Sequence, residues 1–285
     1  MSRLLPALHA AAWTAAASVQ ARRSDRESWH RTNFRGRTVS LSGGIATAVG
    51  TLAGTASVGG APALAGAVAV TAAGGLGALD DLTEREQDRG TKGLRGHLGA
   101  LAQGTVTTGA VKLLGITAAS LLAGTVLADA RRRASGASGP SASFAATALD
   151  SVTSGALVAG TANLLNLLDL RPGRALKAAI LLGAPLAAAG GPGAGIGSAV
   201  VGSAVAAAPT DLAETTMLGD TGANALGAAL GVGLASHPHP AVRLGALAVV
   251  VAGTLASERV SFSRVIDATP ALAWVDGLGR DGAGR

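Results

Sequence analysis

The chain has 285 residues and a net charge of +6, and 48% of its residues are hydrophobic while only 14% are charged. This composition, with a mean hydropathy of +0.42, favours one large apolar assembly over a soluble multidomain protein. The chain contains no cysteine, which excludes disulfides and thiolate metal sites.

Small residues supply most of the apolar character, because Ala, Val and Leu dominate and 42 residues are Gly. Small side chains let membrane helices approach closely, since lipid gives no hydrophobic drive for their association. An Ala/Gly-rich soluble protein stays open as an alternative, because aromatic residues, which form membrane belts, are only 2% of the chain. The basic residues lie in short segments between apolar runs, which fits membrane loops and argues against a nucleic-acid partner.

Apolar runs of about the length that spans a bilayer recur along the chain. The first run could be a signal sequence, but "QARRSDRESW" follows it in place of a small-residue cleavage site, so a retained span is predicted. The sequence predicts an all-α, polytopic integral membrane protein, a single domain over 1–285, with about nine transmembrane helices. The predicted spans are 4–20, 42–59, 62–79, 105–128, 144–162, 175–190, 193–209, 222–236 and 241–257.

Alternation of these spans distributes the polar segments over two membrane faces. One face carries most of the 23 Lys and Arg residues, so the positive-inside rule predicts that it is cytoplasmic, at the cell (inner or plasma) membrane. "ARRRASG" at 130–136 is a local exception on the other face, where "HPHP" at 237–240 is interpreted as a turn. The predicted cytoplasmic segments are 21–41, 80–104, 163–174, 210–221 and 258–285.

Three acidic clusters that are far apart in sequence fall on the predicted cytoplasmic face, because an even number of predicted spans lies between each pair of clusters. Acids at the end of a span are costly unless they serve a pathway, a partner or a cation. For Asp81 alone, helix capping or an ion pair is an equal alternative. The clusters are Asp80 and Asp81 after the third span, the helical stripe Asn163, Asn166 and Asp169, and Asp220 between Gly219 and Gly222.

These carboxylates predict Mg²⁺-assisted phosphoryl transfer, since Mg²⁺ prefers oxygen ligands and needs only one or two carboxylates beside substrate phosphate. Lys92, Arg171 and Arg174 are nearby cations suited to phosphate, although the two arginines are equally well explained as membrane anchors. Lys112 falls inside a predicted span, where a lysine is costly and usually faces a cavity or a partner.

The last segment, 258–285, is predicted to be an amphipathic cytoplasmic segment at the membrane interface. Its large apolar side chains Phe262, Leu272 and Trp274 are expected to face lipid. The basic and acidic residues between them are expected to face water.

The motifs together resemble those of the polyprenyl-phosphate hexose-1-phosphate transferase superfamily (glycosyltransferase family 4). That superfamily includes phospho-N-acetylmuramoyl-pentapeptide transferase and the UDP-N-acetylglucosamine undecaprenyl-phosphate transferases. The similarity covers nearly the whole chain, and its pattern is that of a divergent subgroup. The motifs are "NFRGRTVSLSGG", "GALDDL", "NLLNLLD" and "MLGDTGANALGAALG".

The resemblance implies an Mg²⁺-dependent enzyme, with Mn²⁺ as an alternative ion, acting in cell-envelope glycan synthesis. Such an enzyme transfers a sugar-1-phosphate from a UDP-sugar to a polyprenyl phosphate at the cytoplasmic face and releases UMP. The implied catalytic residues are Asp80, Asp81 and Asp169, and the implied metal ligands are Asp220, Asp80 and Asp169. Beside these implied roles, the predicted substrate-binding residues are Asn163, Asn166, Arg171, Arg174, Lys92, Lys112, Asp211 and Glu214.

Two departures from the family pattern keep other functions open. Pro172 stands where the family often has a second aspartate, and Asp211 and Glu214 replace an asparagine expected before Asp220. A catalytically inactive member that binds lipid phosphate or acts as a membrane scaffold is therefore the main alternative. A transporter is a weaker one, since internal repeats are not evident. A homodimer is left open.

Overall fold

The computed structural model describes residues 4–83, 107–136 and 142–280, which are almost entirely helical. The predicted all-α fold class is confirmed. Between the first two helices, a 3-10 turn (Glu27–Trp29) precedes an antiparallel hairpin of β1 (His30–Thr32) and β2 (Thr38–Ser40). The helices are α1 (Leu4–Arg23), α2 (Ser42–Ala56), α3 (Gly60–Thr83), α4 (Thr108–Ala134), α5 (Ala142–Leu168), α6 (Arg174–Ala189), α7 (Ala194–Leu212), α8 (Gly219–Ala235), α9 (Pro240–Ser257), α10 (Phe262–Ala268) and α11 (Pro270–Gly277).

Each of the nine predicted spans overlaps one of the helices α1 to α9. Among the described residues, four helices are long and apolar enough to cross a membrane, namely α3, α4, α5 from residue 144 onwards, and α9. Helices α2, α6 and α8 have 15, 16 and 17 residues, fewer than the roughly 20 that cross the hydrocarbon core. The structure therefore supports a helical membrane protein with four apolar spans, and the full set of nine stays a prediction.

Helix α8 is the centre of the bundle and is buried along almost its whole length. It packs against α2, α3, α5 and α7, and glycines allow this crowding. A Cβ atom on Gly227 would lie 2.6 Å from the Cα of Ala162, and one on Gly231 would lie 2.6 Å from the Cα of Val158. The backbones of α5 and α8 therefore approach as closely as small residues permit, as is typical of membrane helices.

Hydroxyl groups join α1, α2 and α7 inside the bundle. The Ser203 hydroxyl lies 2.9 Å from the Thr14 hydroxyl, accepts a bond from Thr51 at 3.0 Å and donates to the Thr47 carbonyl at 3.0 Å. All four residues are buried. Such interhelical hydrogen bonds are a usual means of joining helices where the hydrophobic effect is weak.

Paired charges lie at the end of the bundle where α4 finishes. The Asp150 carboxylate accepts from Arg131 at 2.9 Å and from Arg243 at 2.8 Å, and Arg131 also donates to the Ala235 carbonyl that ends α8. Arg132 and Arg133 both pair with Asp129. The three arginines that contradicted the charge rule at 130–136 are therefore each paired with a carboxylate.

Helices α4 and α5 each have two charged groups separated by most of their length. Lys112 and Arg131 lie on α4, while Asp150 lies about two turns inside α5 and Asp169 directly follows its last residue. With a helical rise of about 1.5 Å per residue, each pair is separated by about 28 Å along the axis. This separation is close to the roughly 30 Å thickness of a hydrocarbon core.

Candidate functional site

The β hairpin holds the loop that leads into α8. The Ser40 amide donates to the Thr215 carbonyl at 3.2 Å, and the Ser40 carbonyl accepts from the Met217 amide at 2.9 Å. Ser40 and Thr216 thus form a parallel bridge. This pairing holds residues 215–217 in place. They lie at the end of the bundle opposite to Asp150.

The first turn of α8 is bound by a carboxylate from another helix. A helix begins with amides that lack intrahelical acceptors and with a positive dipole end, so carboxylates stabilise it. Here the amides of Asp220 and Thr221 both donate to Asp81. The backbone at Leu218 and Gly219 also lowers the pKa values of Asp211 and Asp169, respectively, against the effect of burial.

The Asp81 carboxylate makes three hydrogen bonds to the first turn of α8. It accepts from the Asp220 amide at 3.1 Å, from the Thr221 amide at 2.9 Å and from the Thr221 hydroxyl at 2.6 Å. Gly219 has a φ of +56°, and a Cβ there would lie 2.9 Å from a carboxylate oxygen of Asp81. A glycine is therefore required for this turn.

The neighbouring Asp80 takes part in a different contact. Its Oδ2 atom and the Oδ2 atom of Asp220 both accept from the Nζ of Lys112, and the Thr108 hydroxyl also hydrogen-bonds to Asp80. The ammonium group of Lys112 thus joins α3, α4 and α8. Lys112 lies one turn from the start of α4, so the structure places it near the end of its helix and not deep within a span.

Two carboxylates near the start of α8, Asp169 and Asp211, have raised pKa values. Burial raises the pKa of Asp169 well above its ordinary value, and the charges of Asp211, Asp220 and Asp81 raise it further. Burial also raises the pKa of Asp211 to about 6, against hydrogen bonds from the amides of Gly173 and Leu218. Asp220, whose charge raises the pKa of Asp169, is also a partner of Lys112.

A pocket of about 190 Å³ lies beside Asp169. Its wall includes Glu214, whose carboxylate accepts from Asn33 at 2.6 Å and from Arg35 at 2.8 Å. Glu214 has a φ of 54°, a conformation that side chains other than glycine rarely adopt and that often marks a functional position. The lining residues are Thr32, Asn33, Phe34, Val39, Asp169, Leu170, Arg171, Pro172, Asp211, Glu214, Thr216 and Met217.

Two arginines flank Phe34, which lines this pocket. The guanidinium carbons of Arg35 and Arg171 lie 5.3 and 5.5 Å from the centre of the Phe34 ring, which is within cation–π range. Arg171 also pairs with Asp267 of α10 at 2.9 Å. Arg171 lines the pocket and Arg35 does not, so the guanidinium group of Arg171 is the one that the lining presents to an anionic ligand.

Arg174, another predicted substrate-binding residue, lies outside the pocket lining. It donates two hydrogen bonds to Asp276, at 2.8 and 3.0 Å, and one to the Ser263 hydroxyl at 2.8 Å. Arg174 and Asp276 are both buried. This bidentate pair fastens α11 to the start of α6, while Leu272 and Trp274 of the same segment are exposed and Phe262 is half-buried.

The predicted site residues are thus divided between several places. Asp80, Asp220 and Lys112 meet directly, and Asp169, Arg171, Asp211 and Glu214 line the pocket. Asn163 is exposed on α5, and Asn166 is half-buried outside the lining. Lys92 lies outside the described residues.

Several residues at the site were not singled out from the sequence. Phe34 and Asn33 lie in the quoted motif "NFRGRTVSLSGG", so that motif was a signal for them. Thr221 stands directly after Asp220 in the motif containing it. Asp276 had no local signal, because only the folded contact with Arg174 reveals its position.

The donor set fits a divalent ion in part. Within 4–83, 107–136 and 142–280, no three His, Asp or Glu side chains are grouped to bind a metal. Asp80 and Asp220 nevertheless direct oxygens to one cation, and Mg²⁺ needs only one or two protein carboxylates when phosphate and water complete its shell. Asp169, the third predicted ligand, is not one of the carboxylates that contact Lys112.

Comparison of the chain with models of protein families, with curated proteins and with solved structures gives no match.

Proposed function

We propose that the protein is a membrane-embedded phosphoglycosyl transferase that passes a sugar-1-phosphate from a UDP-sugar to a polyprenyl phosphate. The observation that carries the proposal is the meeting of Asp80, Lys112 and Asp220 at one end of an apolar helical bundle. Asp169, whose pKa is raised by the charge of Asp220, lines the pocket together with Arg171. Carboxylates and cations beside a pocket are the groups that phosphoryl transfer requires.

In the proposed reaction, an oxygen of the lipid phosphate forms a bond to the β-phosphorus of the UDP-sugar. The bond from that phosphorus to the bridging oxygen breaks, and UMP leaves. The ammonium of Lys112 and the guanidinium of Arg171 bind the phosphate oxygens and hold the two substrates in line. Asp80 and Asp220 would hold Mg²⁺ or Mn²⁺, which supplies neutralisation of the developing negative charge.

The proposed orientation places this end of the bundle at the cytoplasmic face of the cell membrane, in cell-envelope glycan synthesis. The support is the positive-inside rule, together with the neutralising carboxylates beside the arginines at the opposite end. A water-soluble UDP-sugar and a membrane-bound acceptor would meet at this face.

Purified full-length protein in lipid nanodiscs tests the activity, with Mg²⁺, undecaprenyl phosphate and a panel of radiolabelled UDP-sugars. We expect UMP release with one donor, and a loss of at least about 100-fold for Asp220→Asn, as for other groups that stabilise transition-state charge. Asp129→Asn, the same change at the opposite end, is expected to retain activity. Folded wild-type protein that releases no UMP from any donor would contradict the proposal.

One observation favours the second candidate, an inactive protein that binds lipid phosphate. Asp81 accepts from amides in the first turn of α8 and Asp211 accepts from the Gly173 amide before α6, so a structural reason for these two acids exists without catalysis. For this candidate, undecaprenyl phosphate should bind to the wild type while no UMP is released. Binding accompanied by UMP release would exclude it.

A further inference from the structure

Lys112 lies where two carboxylates from different helices point at one cation. Its Nζ contacts Oδ2 of both Asp80 and Asp220. The three side chains are only 20%, 15% and 25% exposed, so water screens their charges poorly. A divalent ion that bound these carboxylates would need the same two oxygen atoms.

The neighbouring Asp81 does not depend on Lys112 for hydrogen bonds. It accepts from two amides and a hydroxyl in the first turn of α8, whereas Asp80 and Asp220 share the ammonium. One ammonium offsets only one of the two negative charges, and a divalent ion would offset both. A lysine ammonium is a point charge on a flexible stem with no fixed coordination geometry, so it can leave without moving the backbone.

We infer that Lys112 is an exchangeable internal cation, which competes with a divalent ion for Asp80 and Asp220 and transfers to a phosphate oxygen when the ion binds. The part of this inference that concerns phosphate rests on the proposed function. Because the displaced ammonium gains a new partner only when phosphate is present, the divalent ion and phosphate bind cooperatively. By linkage, each increases the affinity for the other by the same factor.

Manganese titrations followed by electron paramagnetic resonance test the competition on full-length protein in nanodiscs. We expect Lys112→Met to bind Mn²⁺ about tenfold more tightly than the wild type, within the range usual for coupled sites. Lys112→Arg keeps the charge and should bind Mn²⁺ as weakly as the wild type. Lys177→Met is the matched control, because Lys177 donates to the carbonyls of Val275 and Asp276 and makes no contact with the two carboxylates.

The same titrations with inorganic phosphate test the cooperativity. Phosphate should increase the Mn²⁺ affinity of the wild type and of Lys177→Met, and this increase should be lost in Lys112→Met. Equal Mn²⁺ affinities of the wild type and Lys112→Met would overturn the inference. So would a lack of Mn²⁺ binding by both proteins.

A second measurement uses the wild type alone, in case Lys112→Met does not fold. Acylation of lysines, followed by mass spectrometry, should modify Lys112 several-fold faster with Mn²⁺ than without it, while modification of Lys177 stays constant. An unchanged or slower modification of Lys112 would refute the competition. These readouts need no transfer reaction, so absence of UMP release would defeat the proposed function and leave the competition between Lys112 and the ion testable.

Discussion

At the scale of single residues, the carboxylate of Asp81 acts on a helix other than its own. It belongs to α3 but accepts two amide hydrogen bonds and one hydroxyl bond from the first turn of α8. An acid at that position interacts favourably with the positive end of the helix dipole. Structural stabilisation therefore accounts for Asp81, and its predicted catalytic role stays a prediction.

Replacement of Asp81 by alanine should destabilise the protein by about 2 kcal/mol, the upper range for loss of a helix N-cap. The reason is that the amides of Asp220 and Thr221 lose their acceptor. Asp81→Asn keeps an acceptor oxygen and should lose less. Thermal unfolding in detergent measures the difference, and equal midpoints for Asp81→Ala and the wild type would contradict the capping role.

The raised pKa of Asp211 predicts a specific dependence of stability on pH. Its ordinary value is 3.8 and its value in the folded protein is about 6, so folding favours the protonated carboxyl. Below about pH 4 this group makes its full contribution to the free energy of unfolding. Between about pH 4 and 6 that contribution is lost, by up to about 3 kcal/mol at 1.36 kcal/mol per pKa unit. Above about pH 6, Asp211 is ionised in the folded and the unfolded protein, so the free energy of unfolding no longer changes with pH through this group.

Asp211→Asn should remove this fall, since the amide side chain does not titrate and its oxygen still accepts from Gly173. The test is the difference in unfolding midpoint between the wild type and Asp211→Asn from pH 4 to 7. A wild type that gains stability relative to the variant as the pH rises would show that the sign is wrong.

At the scale of elements, the contact between α5 and α8 depends on the absence of side chains. A methyl group on Gly227 would meet backbone atoms of Ala162 at 2.6 Å. Backbone atoms cannot turn aside as a flexible side chain can, so the two helices would have to separate. The central position of α8 follows from this close approach.

Gly227→Ala should therefore destabilise the protein by about 1–3 kcal/mol, as overpacking usually does. Gly245→Ala, in α9, is the control, because no atom lies within 4 Å of the added methyl group. That control should be neutral or stabilising by up to about 1 kcal/mol, since alanine favours helix. Thermal unfolding of both variants in the same detergent decides between a packing effect and a general effect of Gly→Ala.

Two arginines three positions apart bind the C-terminal helices in different ways. Arg174 and Asp276 are 5% and 4% exposed, whereas Arg171 and Asp267 are 30% and 48% exposed. Removal of one member of a buried ion pair costs about 3 kcal/mol or more, while an exposed pair contributes about 0–1 kcal/mol.

Arg174→Ala should thus release α11 and make 262–277 sensitive to limited proteolysis, whereas Arg171→Ala should not. Mass spectrometry of the fragments measures the sites of cleavage. Equal protection of this segment in the two variants would argue against the structural role of Arg174 and favour its predicted contact with substrate.

At the scale of the whole molecule, features set by local sequence could be predicted and features set by distant contacts could not. Apolar runs indicated helices α1 to α9, because the length and hydropathy of a run are local properties. An even number of apolar runs separates Asp80, Asp169 and Asp220 from one another, which predicted that the three acids lie at the same end of the bundle. The three-residue strands and the pair of Arg174 with Asp276 gave no local pattern, since each exists only through its partner.

The proposed membrane topology predicts which ends of the bundle are accessible from each side. The chain has no cysteine, so one can be introduced at exposed Ser28, in the 3-10 turn, or at exposed Ser135, after α4. A membrane-impermeant maleimide applied to intact cells should label Ser135→Cys and not Ser28→Cys. Labelling of both or of the reverse position would contradict the orientation.

The charged groups about 28 Å apart on α4 and α5 have a consequence for the choice of lipid. A bilayer whose hydrocarbon region matches that spacing accommodates both charged ends without distortion. A thicker, sterol-rich bilayer, at roughly 32–33 Å, would require the surrounding lipid to compress or the charged side chains to be drawn into the acyl region. Short-chain lipids should accordingly yield the more stable reconstituted protein.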